Sequence, residues 1–289
     1  MKLAGVQMDI AIGKPDENSL RMAEQFVVAR QQGADLVIFP ECAITGYCFE
    51  SRDEASPFAE SVTGESVAYF TNLCRERGGM AVFGMIERDG ERLYNAAALV
   101  GPQGLIASYR KVHLPYLGVD RFLDLGDRPF AVYETEGVRL GLNICYDSGF
   151  PESSRVLALA GADLVVLPTN WPTGAETLAE HAIATRALEN AIYYAAVNRV
   201  GEERGFRFIG RSRICDPAGR TLAVGSTDGE EILFAEIDPA RSRNKTIVRV
   251  PGQHLIDRMA DRRPEFYRPL VDPHGLPRPG RDVSAEWLT

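Results

Sequence analysis

The sequence predicts an α/β protein with four layers, an α-β-β-α sandwich in which two stacked mixed sheets lie between outer helices. Three observations support this prediction. Helix-like stretches alternate with long apolar strands, which is typical of sheets covered by helices. Two segments of the first half also have counterparts in the second half, in the same order. Two similar halves can pack their sheets face to face and keep their helices outside.

The first repeated segment is a short apolar strand that ends at a proline. Residues 33–41 read Gly-Ala-Asp-Leu-Val-Ile-Phe-Pro-Glu, and residues 161–169 read Gly-Ala-Asp-Leu-Val-Val-Leu-Pro-Thr. Apolar runs of this length indicate strands buried on both faces. A helix-like stretch precedes each run, at residues 18–32 and 152–160, and apolar side chains recur at helical spacing in the first of these.

The second repeated segment predicts a strand, a turn and a strand. It covers residues 98–106 in the first half and residues 214–222 in the second, and each copy has Pro and Gly at its centre. Further helices are expected at residues 66–77 and 177–190. The alternative to two structurally similar halves is a chance resemblance between apolar strands. The shared order of the two repeated segments disfavours this alternative.

Composition and charge narrow the class of protein. Hydrophobic residues make up 45% and charged residues 25% of the 289 positions, as in ordinary globular proteins. The formal net charge of −8 gives no electrostatic support for nucleic-acid binding. No apolar run approaches the length of a membrane span. We therefore expect neither a nucleic acid nor a membrane as a partner.

The cysteines and histidines indicate neither disulfides nor a metal site. The five cysteines are odd in number and form no Cys-x-x-Cys pair, and the N-terminus does not read as a signal peptide. The four histidines show no metal-ligand spacing. A cytoplasmic protein without a metal or a cofactor is therefore expected.

Cys145 is the candidate nucleophile. It ends the apolar run at residues 138–144 and precedes a Tyr-Asp-Ser-Gly-Phe sequence and Pro151, which predicts a strand, a tight turn and a helix start. Backbone N–H groups at such a turn favour an anion such as a thiolate. The alternative is a cysteine that serves as a small core residue, a description that fits Cys74 well.

Two charged residues could assist a thiol. Glu41 ends the first repeated segment, where partial burial would raise its pKa and suit it to act as a general base. Lys111 follows the first predicted hairpin, and beside a thiol it would lower the thiol pKa and bind a developing oxyanion. Taken alone, Glu41 is equally well explained as a solvated loop residue, and Lys111 is better explained as part of a surface pair with Arg110. Asp120 could orient Lys111, bind substrate or be an ordinary turn residue.

Together these segments resemble the nitrilase superfamily of carbon–nitrogen hydrolases. The resemblance rests on Phe-Pro-Glu at residues 39–41, Tyr-Arg-Lys-Val-His-Leu at residues 109–114 and Asn-Ile-Cys-Tyr-Asp at residues 143–147, in the family's order. It extends from the N-terminal strand to about residue 237. It implies an α-β-β-α sandwich that carries a Glu-Lys-Cys triad.

The resemblance also implies a role for each motif. Glu41 is the expected general base, Lys111 the oxyanion-binding lysine and Cys145 the nucleophile. The backbone N–H of Tyr146 is expected to share the oxyanion with the lysine. Many family members carry a second glutamate shortly after the lysine, and here its nearest counterpart is Asp120, one methylene shorter. An alignment with no acid at this position is the alternative.

Side chains beside these motifs are expected to line the substrate pocket. Residues 167–172 match a strand end that forms part of the pocket in the family. Aromatic side chains in the adjoining loops could instead cover the rim or the core. Acidic loops near Asp120 suggest a cationic group on the substrate. The substrate-binding candidates are Tyr47, Tyr116, Asp120, Tyr146, Asn170 and Trp171.

The expected function is hydrolysis of a non-peptide C–N bond in a small linear amide or N-carbamoyl amine, through a thioester on Cys145. A true nitrilase acting on a C≡N bond would use the same triad, and a non-catalytic binding protein on the same fold is a third possibility. Phe-Pro-Glu at residues 150–152 looks more like the amidases. Residues 184–190 resemble a helix that the family places at a subunit interface, which implies a homodimer or a higher homo-oligomer.

The chain is expected to divide into a hydrolase domain at residues 1–250 and an extended C-terminal arm at residues 251–289. Prolines recur in the arm, with many Arg and Asp residues and little periodicity. A disordered tail is the alternative. Packing of the arm on the same or a neighbouring subunit is preferred because its large apolar side chains would otherwise be exposed. These side chains are Phe266, Tyr267, Leu270 and Trp287.

Overall fold

The computed structural model describes residues 1–282 and contains two six-stranded mixed sheets. The strands of the first sheet are β1 (Lys2–Gln7), β2 (Leu36–Ile38), β3 (Met80–Asp89), β4 (Arg92–Gly101), β5 (Gly104–Arg110) and β14 (Glu231–Glu236). Those of the second are β6 (Val132–Thr135), β7 (Val138–Leu142), β8 (Leu164–Pro168), β9 (Tyr193–Val197), β12 (Arg213–Cys215) and β13 (Thr221–Val224). Two short ribbons pair β10 (Glu202–Glu203) with β11 (Phe206–Arg207) and β15 (Ile247–Val250) with β16 (His254–Ile256).

The two sheets have the same topology. The strand order is β14-β1-β2-β3-β4-β5 in the first sheet and β6-β7-β8-β9-β12-β13 in the second. In each sheet the second, third and fourth strands are parallel, and the other neighbours are antiparallel. The repeated sequence segments correspond to β2 and β8 and to the hairpins β4–β5 and β12–β13. The repeat predicted from the sequence therefore describes the fold.

Helices form the two outer layers. The helices α1 (Pro15–Gln31) and α3 (Glu65–Arg77) cover the first sheet, and α4 (Pro151–Leu159) and α5 (Ile183–Asn190) cover the second. Proline at its first position and two acidic residues in its first turn favour the start of α1. The helix predicted at residues 177–190 is interrupted, because a π-helical turn at Leu178–Ala182 precedes α5. Two further short helices are α2 (Arg52–Ala55) and α6 (Pro239–Arg243).

The side chains of β2 show how one strand joins two layers. Leu36 and Ile38 belong to the core between the sheets, to which both sheets contribute, whereas Val37 packs with the residues of α1 and α3. The sheets approach closely at Gly5, where a Cβ would lie 3.0 Å from Val197 Cγ2 of the second sheet. The predicted four-layer α-β-β-α sandwich is confirmed.

After α6 the chain continues through the β15–β16 ribbon and several short turns to residue 282. Phe266 and Leu270 are exposed on this segment, with 67% and 63% of their surfaces accessible. Trp287, which the sequence also placed in the arm, lies outside the described residues. Within residues 1–282, no helix has the length and apolar character required to span a bilayer.

Candidate active site

Strand ends bring three chemically active side chains together in the interior. Glu41 follows β2, Lys111 follows β5 and Cys145 follows β7. All three are buried, with exposed fractions of 0%, 1% and 6%. The Glu41 and Lys111 charges both act on the Cys145 thiol. Ligands in α/β proteins commonly sit beyond the ends of strands, so this arrangement is the candidate active site.

Lys111 is held between two carboxylates. Its Nζ lies 2.7 Å from Glu41 Oε1 and 2.6 Å from Asp120 Oδ2. Burial alone would lower the pKa of Lys111, but the negative charges of Asp120 and Glu41 outweigh it and hold that pKa well above its usual value. Lys111 is therefore a fixed cation at neutral pH, and it can stabilise negative charge without exchanging its proton.

Asp120 reaches the site although its side chain is one methylene shorter than glutamate. It lies in a single 3₁₀ turn at Gly118–Arg121 and is fully buried. The Tyr47 hydroxyl donates to Asp120 Oδ2 at 2.8 Å and thereby fixes the carboxylate opposite Lys111. Gly118 makes this approach possible, because a Cβ there would lie 2.4 Å from the Tyr47 ring. The acid that the sequence left open is thus in contact with the lysine.

Asn95 is a member of the site that sequence reasoning missed. Its Nδ2 donates to Glu41 Oε1 at 2.7 Å and to Asp120 Oδ1 at 2.8 Å. Its backbone carbonyl accepts from the backbone N–H of Lys111 at 2.8 Å. One residue of β4 therefore holds the lysine and both of its carboxylate partners. The available signal was an amide directly before the apolar run Ala96 to Val100 of β4.

Glu41 keeps one oxygen free for proton transfer. Oε1 accepts from Lys111 and Asn95, whereas Oε2 is buried and has no hydrogen-bond partner among residues 1–282. Burial raises the pKa of Glu41 above its usual value, and the Lys111 charge only partly offsets this effect. A carboxylate with a raised pKa and one unengaged oxygen suits the role of a general base.

Cys145 occupies a strained turn directly after β7. Its φ of 43° lies in the left-handed region, which is unusual for a residue other than glycine and is common at functional sites. The buried Asp147 supports the turn by accepting from the backbone N–H of Ile144 at 2.9 Å and from the Tyr109 hydroxyl at 2.7 Å. The Ser148 hydroxyl donates to the Cys145 carbonyl at 2.7 Å. The helix α4 then begins with Pro151, as the sequence predicts.

The Cys145 thiol is protonated at rest. Burial and the negative charge of Glu41 raise its pKa to about 12, and the Lys111 charge and the neighbouring Thr169 hydroxyl and Asn170 backbone N–H lower it only in part. Lys111 therefore lowers the thiol pKa, as expected, but this effect is smaller than the rise caused by burial and Glu41. A base that removes the proton during attack is required, and Glu41 has the unengaged oxygen for it.

The predicted substrate-binding residues fall into two groups. Tyr47, Asn170 and Trp171 are buried, and Asn170 Nδ2 donates to the Glu41 carbonyl at 2.9 Å, so it holds the backbone of the base. Tyr116 and Tyr146 are half exposed, at 50% and 44%, on the loops after Lys111 and Cys145. Tyr47 and Asn170 thus contact Asp120 and Glu41, whereas Tyr116 and Tyr146 are exposed on neighbouring loops, and substrate binding by these residues stays a prediction.

Two acids of the loop near Asp120 pair with arginines. Asp124 pairs with Arg52 at 2.9 Å, and Asp127 pairs with Arg110 at 3.0 Å. Arg110 is shared with Glu87 and Asp89, so the expectation of a cationic substrate group, which rested on these acids, stays a prediction. Among residues 1–282, no group of three or more His, Cys, Asp or Glu residues is arranged to hold a metal ion.

The chain belongs to the carbon–nitrogen hydrolase family, the nitrilase superfamily. The family model described as carbon-nitrogen hydrolase matches residues 2–245. A protein of Pyrococcus abyssi named nitrilase is 41% identical over 268 residues, which cover 92% of this chain and 99% of that protein. The 2-oxoglutaramate amidase of Bacillus subtilis is 33% identical over 81% of this chain and 89% of its own length. The relatives therefore include both nitrilases and amidases.

A solved structure supports the same fold and an active-site cysteine. The amidase of a Nesterenkonia species superposes with a TM-score of 0.78 at 26% identity, covering 94% of this chain and 96% of that one. Another structure of that amidase, a variant, shows covalent addition of the acetamide moiety of fluoroacetamide at the active site cysteine. The present chain is a carbon–nitrogen hydrolase with an active-site cysteine.

Proposed function

We propose that this protein is an amidase that hydrolyses a small linear amide or N-carbamoyl amine through a thioester on Cys145. The observation that carries the proposal is that the two carboxylate oxygens of Glu41 differ in their hydrogen bonding. Lys111 and Asn95 bind Oε1, whereas Oε2 is buried without a partner and is available to take a proton. This geometry suits a thiol that must be deprotonated as it attacks.

In the first half of the reaction, Glu41 takes the proton of Cys145 while the sulfur forms a bond to the carbonyl carbon. The oxyanion that develops is held by the Lys111 ammonium and the backbone N–H of Tyr146. Preorganised donors of this kind are each worth about 10²–10³ in rate. The tetrahedral intermediate then collapses, and Glu41 returns the proton to the departing nitrogen. Ammonia or an amine leaves, and the acyl group stays on Cys145.

In the second half, Glu41 takes a proton from water, and the resulting hydroxide attacks the thioester carbonyl. The same cation and N–H hold the second oxyanion. Collapse breaks the carbon–sulfur bond, releases the carboxylic acid product, and returns the proton from Glu41 to the sulfur. A single acid–base residue thus serves both halves.

A nitrilase is the second candidate, and the Pyrococcus abyssi relative favours it because its name is nitrilase at 41% identity. Attack of the same thiol on a C≡N carbon gives a thioimidate, which water converts to the thioester with release of ammonia. The amidase relatives and the Nesterenkonia amidase structures support the first candidate. Matched substrates separate the two.

The test compares valeramide, valeronitrile and butylurea with ammonia detection in the wild type and Cys145→Ser. We expect ammonia from valeramide or butylurea at a kcat/KM well above that for valeronitrile, and almost none from the variant. Preferred turnover of the nitrile would replace the amidase proposal with the nitrilase one. Turnover of the amide by Cys145→Ser at close to the wild-type rate would refute the thioester mechanism.

We also propose a homodimer or a higher homo-oligomer. The helices α4 and α5 expose apolar side chains on the outer face of the second sheet, namely Val156, Leu159 and Leu188. Exposed apolar side chains on neighbouring helices often mark a protein interface. Sedimentation of the wild type and of Leu159→Lys tests the proposal, and a monomeric wild type at micromolar concentration would contradict it.

A further inference from the structure

The three catalytic groups come from different sheets of the sandwich. Glu41 and Lys111 follow β2 and β5 of the first sheet, whereas Cys145 follows β7 of the second. Strand pairing fixes the spacing of residues within one sheet, and the 2.7 Å salt bridge also ties the base directly to the lysine. The separation of the lysine from the thiol therefore depends on contacts between the two sheets.

The Asp147 carboxylate joins the segments that carry the lysine and the thiol. Asp147 lies in the turn of the nucleophile and is fully buried. Its Oδ1 accepts from the backbone N–H of His113 at 3.1 Å and from the His113 Nδ1 at 2.7 Å. Its Oδ2 accepts from the Tyr109 hydroxyl at 2.7 Å and from the backbone N–H of Ile144 at 2.9 Å. One carboxylate thus binds the lysine segment and the turn together.

The lysine segment is held on both sides of Lys111. Tyr109 and His113 lie two positions before it and two positions after it. The backbone N–H of Val112 donates to the Tyr109 oxygen at 3.3 Å, so the tyrosine also closes the segment on itself. The His113 ring stacks on Phe150, with 3.7 Å between the ring centroids and 9° between the planes. Because Phe150 directly precedes α4, this stack is a second contact between the segment and the turn.

The donors divide by the segment from which they come. Three belong to Tyr109 and His113, and the fourth is the Ile144 backbone N–H of the turn. Hydrogen bonds to an ionised acceptor are short and strong, and a buried carboxylate that accepts several of them has a fixed position. The base has a comparable tie, since Asn170 Nδ2 donates to the Glu41 carbonyl at 2.9 Å.

We propose that Asp147 is a positioning residue that holds the Lys111 ammonium at the distance from Cys145 at which it meets the oxyanion. The oxyanion exists in the transition states and in tetrahedral adducts but not in the bound amide. Loss of the link therefore weakens a tetrahedral adduct and lowers kcat, whereas the KM for the amide changes little. This inference rests on the thioester mechanism proposed above and names the residue that sets its geometry.

The experiment measures the valeraldehyde concentration that half-protects Cys145 from iodoacetamide, with the label followed by intact mass. The sulfur bonds to the aldehyde carbon and the thiol proton passes to the aldehyde oxygen, so the hemithioacetal places that oxygen in the oxyanion position. Each variant is compared with its own labelling rate in the absence of aldehyde. Cys145→Ala gives the background from the other four cysteines.

We expect Asp147→Asn to raise the half-protection concentration about 10- to 100-fold, because a displaced catalytic group costs a factor of this order. Tyr109→Phe should raise it as well, although the turn keeps its Ile144 contact in that variant. The kcat for valeramide should fall in parallel, and its KM should change by less than about threefold, as for an interaction made only in the transition state.

Tyr133→Phe is the matched control, because its hydroxyl donates to the Ser108 carbonyl at 3.4 Å instead of to Asp147. It should leave the half-protection concentration unchanged. If Asp147→Asn does not fold, Tyr109→Phe decides the question.

Unchanged protection in these variants, or a higher KM with an unchanged kcat, would overturn the inference while the proposed function stands. Failure of valeraldehyde to protect the wild type would also overturn it. Protection requires no turnover, so an absence of ammonia from every substrate would refute the proposed function and still leave the link to be decided by protection.

Discussion

Lys111 Nζ lies 2.7 Å from one oxygen of the Glu41 carboxylate, and the other oxygen of Glu41 has no hydrogen-bond partner within residues 1–282. The lysine thus fixes the orientation of the base without occupying both of its oxygens. It also remains charged, because its pKa is held well above the usual value by two carboxylates. The same cation can therefore orient the base and stabilise an oxyanion.

Replacing the base should abolish most turnover without unfolding the protein. Glu41→Gln keeps the size of the side chain but cannot accept a proton, so we expect kcat/KM for valeramide to fall by about 10²- to 10⁴-fold. Ammonia release measures this effect. Glu50→Gln, at a side chain that is 77% exposed, is the control and should retain wild-type activity. Retention of most activity by Glu41→Gln would mean that another group is the base.

The pH dependence should report the raised pKa of Glu41. Burial raises that pKa above 4.5, and a protonated Glu41 cannot accept the thiol proton. The acid limb of kcat/KM should therefore fall through a pKa above 4.5 as the pH is lowered. An acid limb at or below the ordinary carboxyl value would contradict the assignment.

Asn95 should influence the acid limb of the pH profile of kcat/KM. Its hydrogen bond lowers the pKa of Glu41, so Asn95→Ala should move the acid limb to higher pH and lower kcat more than it changes KM. The pH profile distinguishes this role from a general loss of stability. Asn72→Ala, on the exposed face of α3, should leave the profile unchanged. An unaltered limb in Asn95→Ala would show that the amide does not position the base.

The backbone behind Glu41 should tolerate no added atom. A Cβ on Gly84 of β3 would lie 2.2 Å from the Cys42 backbone nitrogen and 2.6 Å from Glu41 Cα. Gly84→Ala must displace the strand end that carries the base. We expect a loss of about 1–3 kcal/mol in the free energy of unfolding and a large loss of kcat. Gly275→Ala, with nothing within 4 Å of the added Cβ, is the control for thermal melts and assays.

Alkylation should reveal the protonated state of Cys145. With a pKa of about 12, the thiolate fraction of the free enzyme rises about tenfold per pH unit over the neutral range. The rate of iodoacetamide labelling, followed by intact mass, should therefore keep rising with pH and show no plateau near neutrality. A plateau there would indicate a preformed thiolate. Cys145→Ala is the control, because loss of the pH-dependent label in this variant assigns the label to Cys145 rather than to the other four cysteines.

Much of the fold could be read from the sequence because it is repeated. The strand at residues 33–41 and its counterpart at residues 161–169 have the same pattern, and β2 and β8 occupy the same place in their sheets. Periodicity could not reveal the π-helical turn at Leu178–Ala182, because five residues are too few to establish a period of their own.

The site was predictable where a charged residue follows a strand, as at Glu41 and Lys111. The role of Asn95 could not be predicted, because it depends on which strands are neighbours. Since β4 lies beside β5, the backbone carbonyl of Asn95 accepts from the backbone N–H of Lys111. The pairing of Asp124 with Arg52 was also hidden, since the partners are 72 positions apart in sequence. A sequence shows which residues of a loop are charged, but not which oppositely charged residues from elsewhere in the chain pair with them in the fold.

Partitioning of the acyl group between water and hydroxylamine tests most directly whether Cys145 carries that group. Valeramide and methyl valerate would pass through the same thioester, so we predict the same ratio of hydroxamate to acid from both substrates, and neither product with Cys145→Ala. A ratio that depends on the leaving group, or hydroxamate formation by Cys145→Ala at the wild-type rate, would contradict the thioester account.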